Sequence, residues 1–182
     1  MKKILLCLIA IGLTSCNLED EIIDQLGFDS EGTLSAKING QTKDFDSGLD
    51  GAGAALISAE VGTETVYGFS VGAIALDDIF DETETTQLGL TLVMEDPNVI
   101  VAGANFNYPE DNLLGLYFFE GSNDVYIDAD ETISATLAIS AIDTSNETIS
   151  GSFSYIVKEP FIEVTYAISN GVFSNVPYNI DL

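Results

Sequence analysis

Apolar and polar residues alternate through most of this chain, and the period is two. The pattern opens at Thr33-Leu34-Ser35-Ala36-Lys37-Ile38, where Leu34, Ala36 and Ile38 fall on one side. A period of two marks a half-buried strand, because successive side chains point to opposite faces. Asn39-Gly40 follows at once and predicts a tight hairpin turn. Further strand-like runs occupy 53–61, 64–76, 86–94, 99–106, 113–120, 123–128, 132–142, 147–157 and 161–169. Between them lie breakers such as Asp96-Pro97-Asn98, Tyr108-Pro109-Glu110 and Glu159-Pro160. No long helical period interrupts the series. Many short strands at regular spacing predict an all-β fold: an antiparallel β-sandwich, or a partly open barrel, of about 9–11 strands.

The clearest pair is 132–142 with 147–157. In the first run Ile133, Ala135, Leu137, Ile139 and Ala141 share the odd face. In the second, Ile149, Gly151, Phe153, Tyr155 and Val157 do the same, and serines and Thr148 occupy the even face. Both strands are predicted to bury the odd face. Opposed residues must share a face, so paired numbers must sum to an even number. A four-residue loop at 143–146 breaks that rule. The expectation is a loop of three or five residues, with Ile139 opposite Ile149 or Gly151.

Ahead of residue 32 the pattern changes. Lys2 and Lys3 precede an unbroken apolar run, Ile4 to Leu13, of ten residues. That is too short for a finished membrane helix, which needs about 20. The run ends in Leu13-Thr14-Ser15-Cys16, which resembles a bacterial lipobox. The resemblance implies cleavage before Cys16 and lipidation of Cys16, with several acyl chains anchoring the mature protein. It divides the chain into a signal peptide (1–15), the lipidated Cys with an acidic tether (16–31) and a single β domain (32–182). Glu19-Asp20-Glu21 resembles the acidic export signal of surface-displayed lipoproteins in Bacteroidetes-type bacteria. The plainer reading is a solvated linker. Ile22, Ile23, Leu26 and Phe28 leave open a segment that packs back on the domain.

Composition narrows the chemistry. Thirty acidic residues against five lysines give a net charge of −25, and removal of Lys2 and Lys3 makes the remainder more acidic still. Nucleic-acid binding needs basic side chains to neutralise phosphates, so it is excluded as a reading. The hydrophobic fraction of 46% is high enough for a packed core rather than a disordered acidic chain. With no histidine and no arginine there is no Ser-His-Asp triad, imidazole metal site or guanidinium clamp. Cys7 and Cys16 are the two cysteines, and neither remains as a free thiol after processing. The expectation is therefore no enzyme and no cofactor; a carboxylate-based hydrolase is the one catalytic chemistry that the composition leaves open.

Carboxylates leave calcium as the metal to consider, since it needs only oxygen ligands. The clusters are Asp44, Asp46 and Asp50; Asp77, Asp78, Asp81 and Glu82; and Asp124, Asp128 and Asp130 with Glu131. None fits an EF-hand loop, and acidic turns on an acidic protein are the plainer reading. A glycan needs flat aromatic platforms. There is no tryptophan, and of the seven tyrosines only Tyr108 and Tyr178 fall outside expected strands.

Several segments also resemble a domain family of unknown function in small Bacteroidetes-type outer-membrane lipoproteins. They are Leu34 to Gly40, Ile142-Asp143, Asn146 to Tyr155, and Ile168-Ser169-Asn170-Gly171-Val172-Phe173. Phe45 stands where that family often has an aromatic after the opening turn. The resemblance implies a secreted, lipid-anchored β domain and no assigned chemistry. The expected function is a surface-exposed lipoprotein with a non-catalytic binding or structural domain. The alternative is a glycan- or calcium-binding accessory module of an outer-membrane uptake system. Expected partners are the membrane, through the anchor, and a glycan or an outer-membrane protein.

Overall fold

The computed structural model describes residues 32–45, 51–77, 84–120, 124–160 and 163–182. Among these residues eleven strands form one mixed sheet that folds over on itself without closing into a barrel. They are β1 Thr33–Ile38, β2 Gln41–Asp44, β3 Gly51–Val61, β4 Glu64–Asp77, β5 Glu84–Met94, β6 Asn105–Asn107, β7 Leu113–Glu120, β8 Val125–Ile127, β9 Thr132–Asp143, β10 Thr148–Lys158 and β11 Thr165–Asp181. The all-β, sandwich-like expectation holds. One pairing departs from the antiparallel rule: the end of β11 runs parallel to β3, with Tyr178 beside Ala54.

β11 joins the two layers. Along one edge it pairs with β10. Along the other it pairs first with β1, from Thr33 opposite Ser174 to Ile38 opposite Ile168, and then with β3. Layer A is therefore β2-β1-β11-β10-β9-β6, and layer B is β11-β3-β4-β5-β7-β8. The inner faces meet in one apolar core. Leu34, Leu137, Phe153, Tyr155 and Phe173 come from layer A; Leu56, Phe69, Leu88, Leu113 and Ile127 come from layer B.

The opening hairpin forms as its turn residues demand. Asn39 and Gly40 have φ of 49° and 86°, and Ile38 pairs with Gln41 across a two-residue loop. The Asn39 side chain also accepts a hydrogen bond from the Ala167 amide at 2.9 Å, tying the turn to β11.

The β9–β10 hairpin corrects the parity argument. Its loop has four residues, 144–147, because Asp143 pairs with Thr148. Asp143 builds this turn: its carboxylate accepts from the Ser145 amide at 2.9 Å and from the Asn146 side chain at 2.8 Å. Those bonds hold the Asp143 carboxyl below the ordinary carboxylate range. The register next to the turn is odd, as the loop length requires. A bulge at Ser140 then absorbs one residue, so that Gly151 faces Ile139 as expected. A second bulge skips Ile133, which turns outward at 49% exposure, while Thr132 is buried in its place. Ala141 is likewise exposed, so the predicted odd face of β9 is buried only at Ala135, Leu137 and Ile139. β10 buries its odd face throughout.

Two other expected strands differ in extent. The 99–106 run is mostly turn. Asp96 accepts from the Asn98 amide at 2.9 Å and starts a 3-10 turn at Pro97–Val99, leaving only β6 at Asn105–Asn107. The 161–169 run continues to Asp181 as β11.

A direct bond links the layers. The Tyr155 hydroxyl donates to the Leu116 carbonyl at 2.6 Å. Gly115 makes room for it, since a Cβ there would run into the Tyr155 ring. Burial raises the Tyr155 phenol above its ordinary value of 10.0. The folded chain therefore keeps a proton that the unfolded chain releases above pH 10, and stability falls as pH rises past that point. Tyr155→Phe should cost about 1–2 kcal/mol at neutral pH and should lose less stability in alkali than the wild type. Urea titrations at neutral and alkaline pH read both effects.

Candidate functional site

The outer face of layer A carries a shallow trough of about 530 Å³. It crosses β6, β9, β10 and β11. Alternation fixes its lining. Phe106, Leu137 and Phe153 turn their side chains into the core, so the trough floor at those positions is backbone. The walls are the outward neighbours: Asn105 and Asn107, Thr136 and Ala138, Ser152 and Ser154, and Asn170 and Val172. Register sets them in rungs. Asn105, Ala138, Ser152 and Val172 lie side by side, and Asn107, Thr136 and Ser154 form the next rung. The Thr136 and Ser154 hydroxyls are 2.9 Å apart.

Asn170 reaches the trough through a bulge. Ser154 faces two residues, Ser169 and Asn170, because Phe153 pairs with Gly171 and Tyr155 with Ile168. Asn170 adopts φ 52°, a left-handed conformation that asparagine tolerates. The same device recurs five residues on. Asn175, also at φ 52°, bulges opposite Ser150, and its amide donates to the Ser150 hydroxyl at 2.8 Å. The repeated Ser-Asn dipeptides of the Ile168–Phe173 segment and its continuation are thus paired bulges. Sequence reading missed them; the signal was that repeat within an otherwise alternating run.

Among the described residues no charged side chain lines the trough. It presents three amides and three hydroxyls, suited to hydrogen bonding an uncharged polar ligand.

Cys16 and Glu19-Asp20-Glu21 fall outside the described residues, as do Asp46, Asp50, Asp78, Asp81 and Glu82. Asp124, Asp128 and Asp130 lie around β8 and the 3-10 turn at Ala129–Glu131. They do not converge: among the described residues no three carboxylates are arranged to hold a metal ion. Asp128 engages Tyr126 instead, and burial first and Asp128 second push that phenol upward.

The tyrosine reading needs correction. Tyr178 is buried at 6% exposure, edge-on to Phe69 with centroids 5.9 Å apart, because β11 runs on past it. Tyr108 is half-buried against the core. Tyr126, assigned to a strand, is 56% exposed and meets Phe118 edge-on at 6.1 Å. Its position between Val125 and buried Ile127 was the available clue to an outward side chain. Tyr117 packs on Tyr166 at 5.0 Å, and burial, then Tyr166, push its phenol up to about 12. No protein-family model, curated protein or solved structure matches the chain.

Proposed function

We propose that the chain is a lipoprotein of the outer membrane, anchored through Cys16 and facing the cell exterior, whose β-sandwich is non-catalytic and acts by binding or structural display. The observation that carries this reading is Leu13-Thr14-Ser15-Cys16 behind a basic start and a ten-residue apolar run. Glu19-Asp20-Glu21 directs it outward. The strongly acidic surface keeps such a domain soluble and away from anionic headgroups. Metabolic labelling with a fatty-acid probe should mark the wild type and leave Cys16→Ala unlabelled and released from membranes. Equal labelling of the two would sink the proposal.

The trough favours a second reading, a glycan-binding accessory module. Its amides and hydroxyls carry no charge on a chain of net charge −25, which matches a neutral, hydroxyl-rich ligand. A glycan array should return neutral oligosaccharides. Asn105→Ala with Asn107→Ala should weaken the best hit by about tenfold, the equivalent of one to two lost hydrogen bonds. An unchanged affinity would place the ligand elsewhere.

A further inference from the structure

Tyr117 and Tyr166 meet across the core. Tyr117 comes from β7 in layer B, where it pairs with Leu88 and Ile127. Tyr166 is the second residue of β11 in layer A, where it pairs with Val157. Leu88, Ile127 and Val157 are all buried, and opposed residues share a face, so both tyrosines point inward from facing layers. Their ring centroids are 5.0 Å apart and the ring planes are tilted by 31°. All seven tyrosines lie among the described residues, and no other two of them meet ring to ring. Tyr155, whose phenol also feels Tyr117, is committed elsewhere: it stacks on Phe153 and donates its hydroxyl to the Leu116 carbonyl.

The pair is also within reach of solvent. Tyr117 is buried, but Tyr166 is only half-buried, so an oxidant in solution reaches Tyr166 directly and Tyr117 through the ring contact. The chain has no tryptophan, which leaves tyrosine as its most easily oxidised aromatic side chain. No cysteine follows Cys16, so no disulfide can join the two layers. A tyrosine that loses one electron and its hydroxyl proton becomes a phenoxyl radical, with unpaired spin on the ring carbons ortho to the oxygen. Two such radicals couple face to face, and two rings in contact at a shallow tilt are already placed for it.

We infer that Tyr117 and Tyr166 are a site of oxidative cross-linking, joined as dityrosine by one-electron oxidants, and that the bond staples layer B to layer A. Each phenol gives one electron to one equivalent of oxidant and its proton to water. One bond forms between an ortho carbon of Tyr117 and an ortho carbon of Tyr166. Each ring then regains aromaticity: its ortho hydrogen leaves as a proton, and the phenol oxygen takes one up. The product has lost two hydrogens and gained one carbon–carbon bond, and two equivalents of oxidant are each reduced by one electron. The bond closes a loop from β7 to β11 and restrains the unfolded chain as a disulfide does. It does not rest on what the trough binds.

The test exposes the full-length chain, in mild detergent, to ruthenium(III) tris-bipyridyl generated by light and persulfate. The monomer should gain the blue fluorescence of dityrosine and lose the mass of two hydrogens. Digestion should leave the peptide that carries Tyr117 joined to the one that carries Tyr166. Tyr117→Phe and Tyr166→Phe keep the ring and remove only the hydroxyl, and each should abolish the fluorescent monomer. Tyr126→Phe, at an exposed tyrosine outside the pair, should leave it unchanged. The oxidised wild type should unfold at higher urea than the untreated chain, and oxidised Tyr166→Phe should not. A fluorescent monomer that survives Tyr166→Phe overturns the site. Equal yield from chain oxidised in urea also overturns it, since chance encounters then explain the bond. Dityrosine found only between chains does the same, and an unmoved urea midpoint overturns the staple.

Discussion

Phe153→Ala should destabilise the domain by about 3–5 kcal/mol, a large share of the 5–15 kcal/mol that holds a typical domain folded. Phe153 is 5% exposed on the inner face of β10. Its ring stacks on Tyr155 with centroids 6.2 Å apart and lies 6.3 Å from Phe173. It also covers Gly171, where an added Cβ would come within 2.6 Å of the ring. Removing it leaves a cavity between three aromatic or backbone surfaces that cannot collapse freely, which is the costly case. Ser152, the preceding residue, faces the trough and is exposed. Ser152→Ala should lie within about 0.5 kcal/mol of the wild type. Urea denaturation compares the two, and similar small effects would mean that the buried face of β10 has been misassigned.

Gly151→Ala should act with nearly equal force by the opposite route. Gly151 sits on the same inner face, at the bulge where β9 and β10 change register. A Cβ there would collide with the Ala138 carbonyl oxygen and with the Phe173 ring. The ring can tilt, but the carbonyl belongs to the β9 backbone, so the strand itself must shift. Such overpacking costs about 1–3 kcal/mol, and the backbone obstacle puts this case at about 3. The midpoint of urea unfolding should fall with an unchanged slope. A neutral result would show that the bulge can open to admit the methyl.

Local signals carried most of the architecture. β1, β4, β7, β9 and β10 stand within two residues of the runs read from alternation, because each has one face on a core and the other in water. Asn39-Gly40 specified its turn because both residues tolerate positive φ. The parity rule for β9 and β10 was sound, but it assumed an unbroken ladder. The bulge at Ser140 meets the rule without the loop length it required. Such bulges depend on the partner strand, which a single-strand pattern cannot show. The same limit hid the trough. Its side chains come from four strands spread over residues 105–172, and each reads alone as an ordinary solvent-facing Ser, Thr or Asn. Tyr178 was misjudged because β11 was ended twelve residues early, and the parallel pairing that buries it lies in that missing length.

The shared strand β11 also sets an order of assembly. Its pairing with β3 joins Tyr178 to Ala54, partners far apart along the chain, with no hairpin to bring them together. Contacts of such long sequence separation are slow to form, because loop closure must precede any reward from pairing. Layer A lacks its central strand, and layer B one edge partner, until the last residues are available. A nascent chain therefore cannot complete its sandwich until β11 has been made. On the export route proposed above, this topology would delay compaction until β11 had passed.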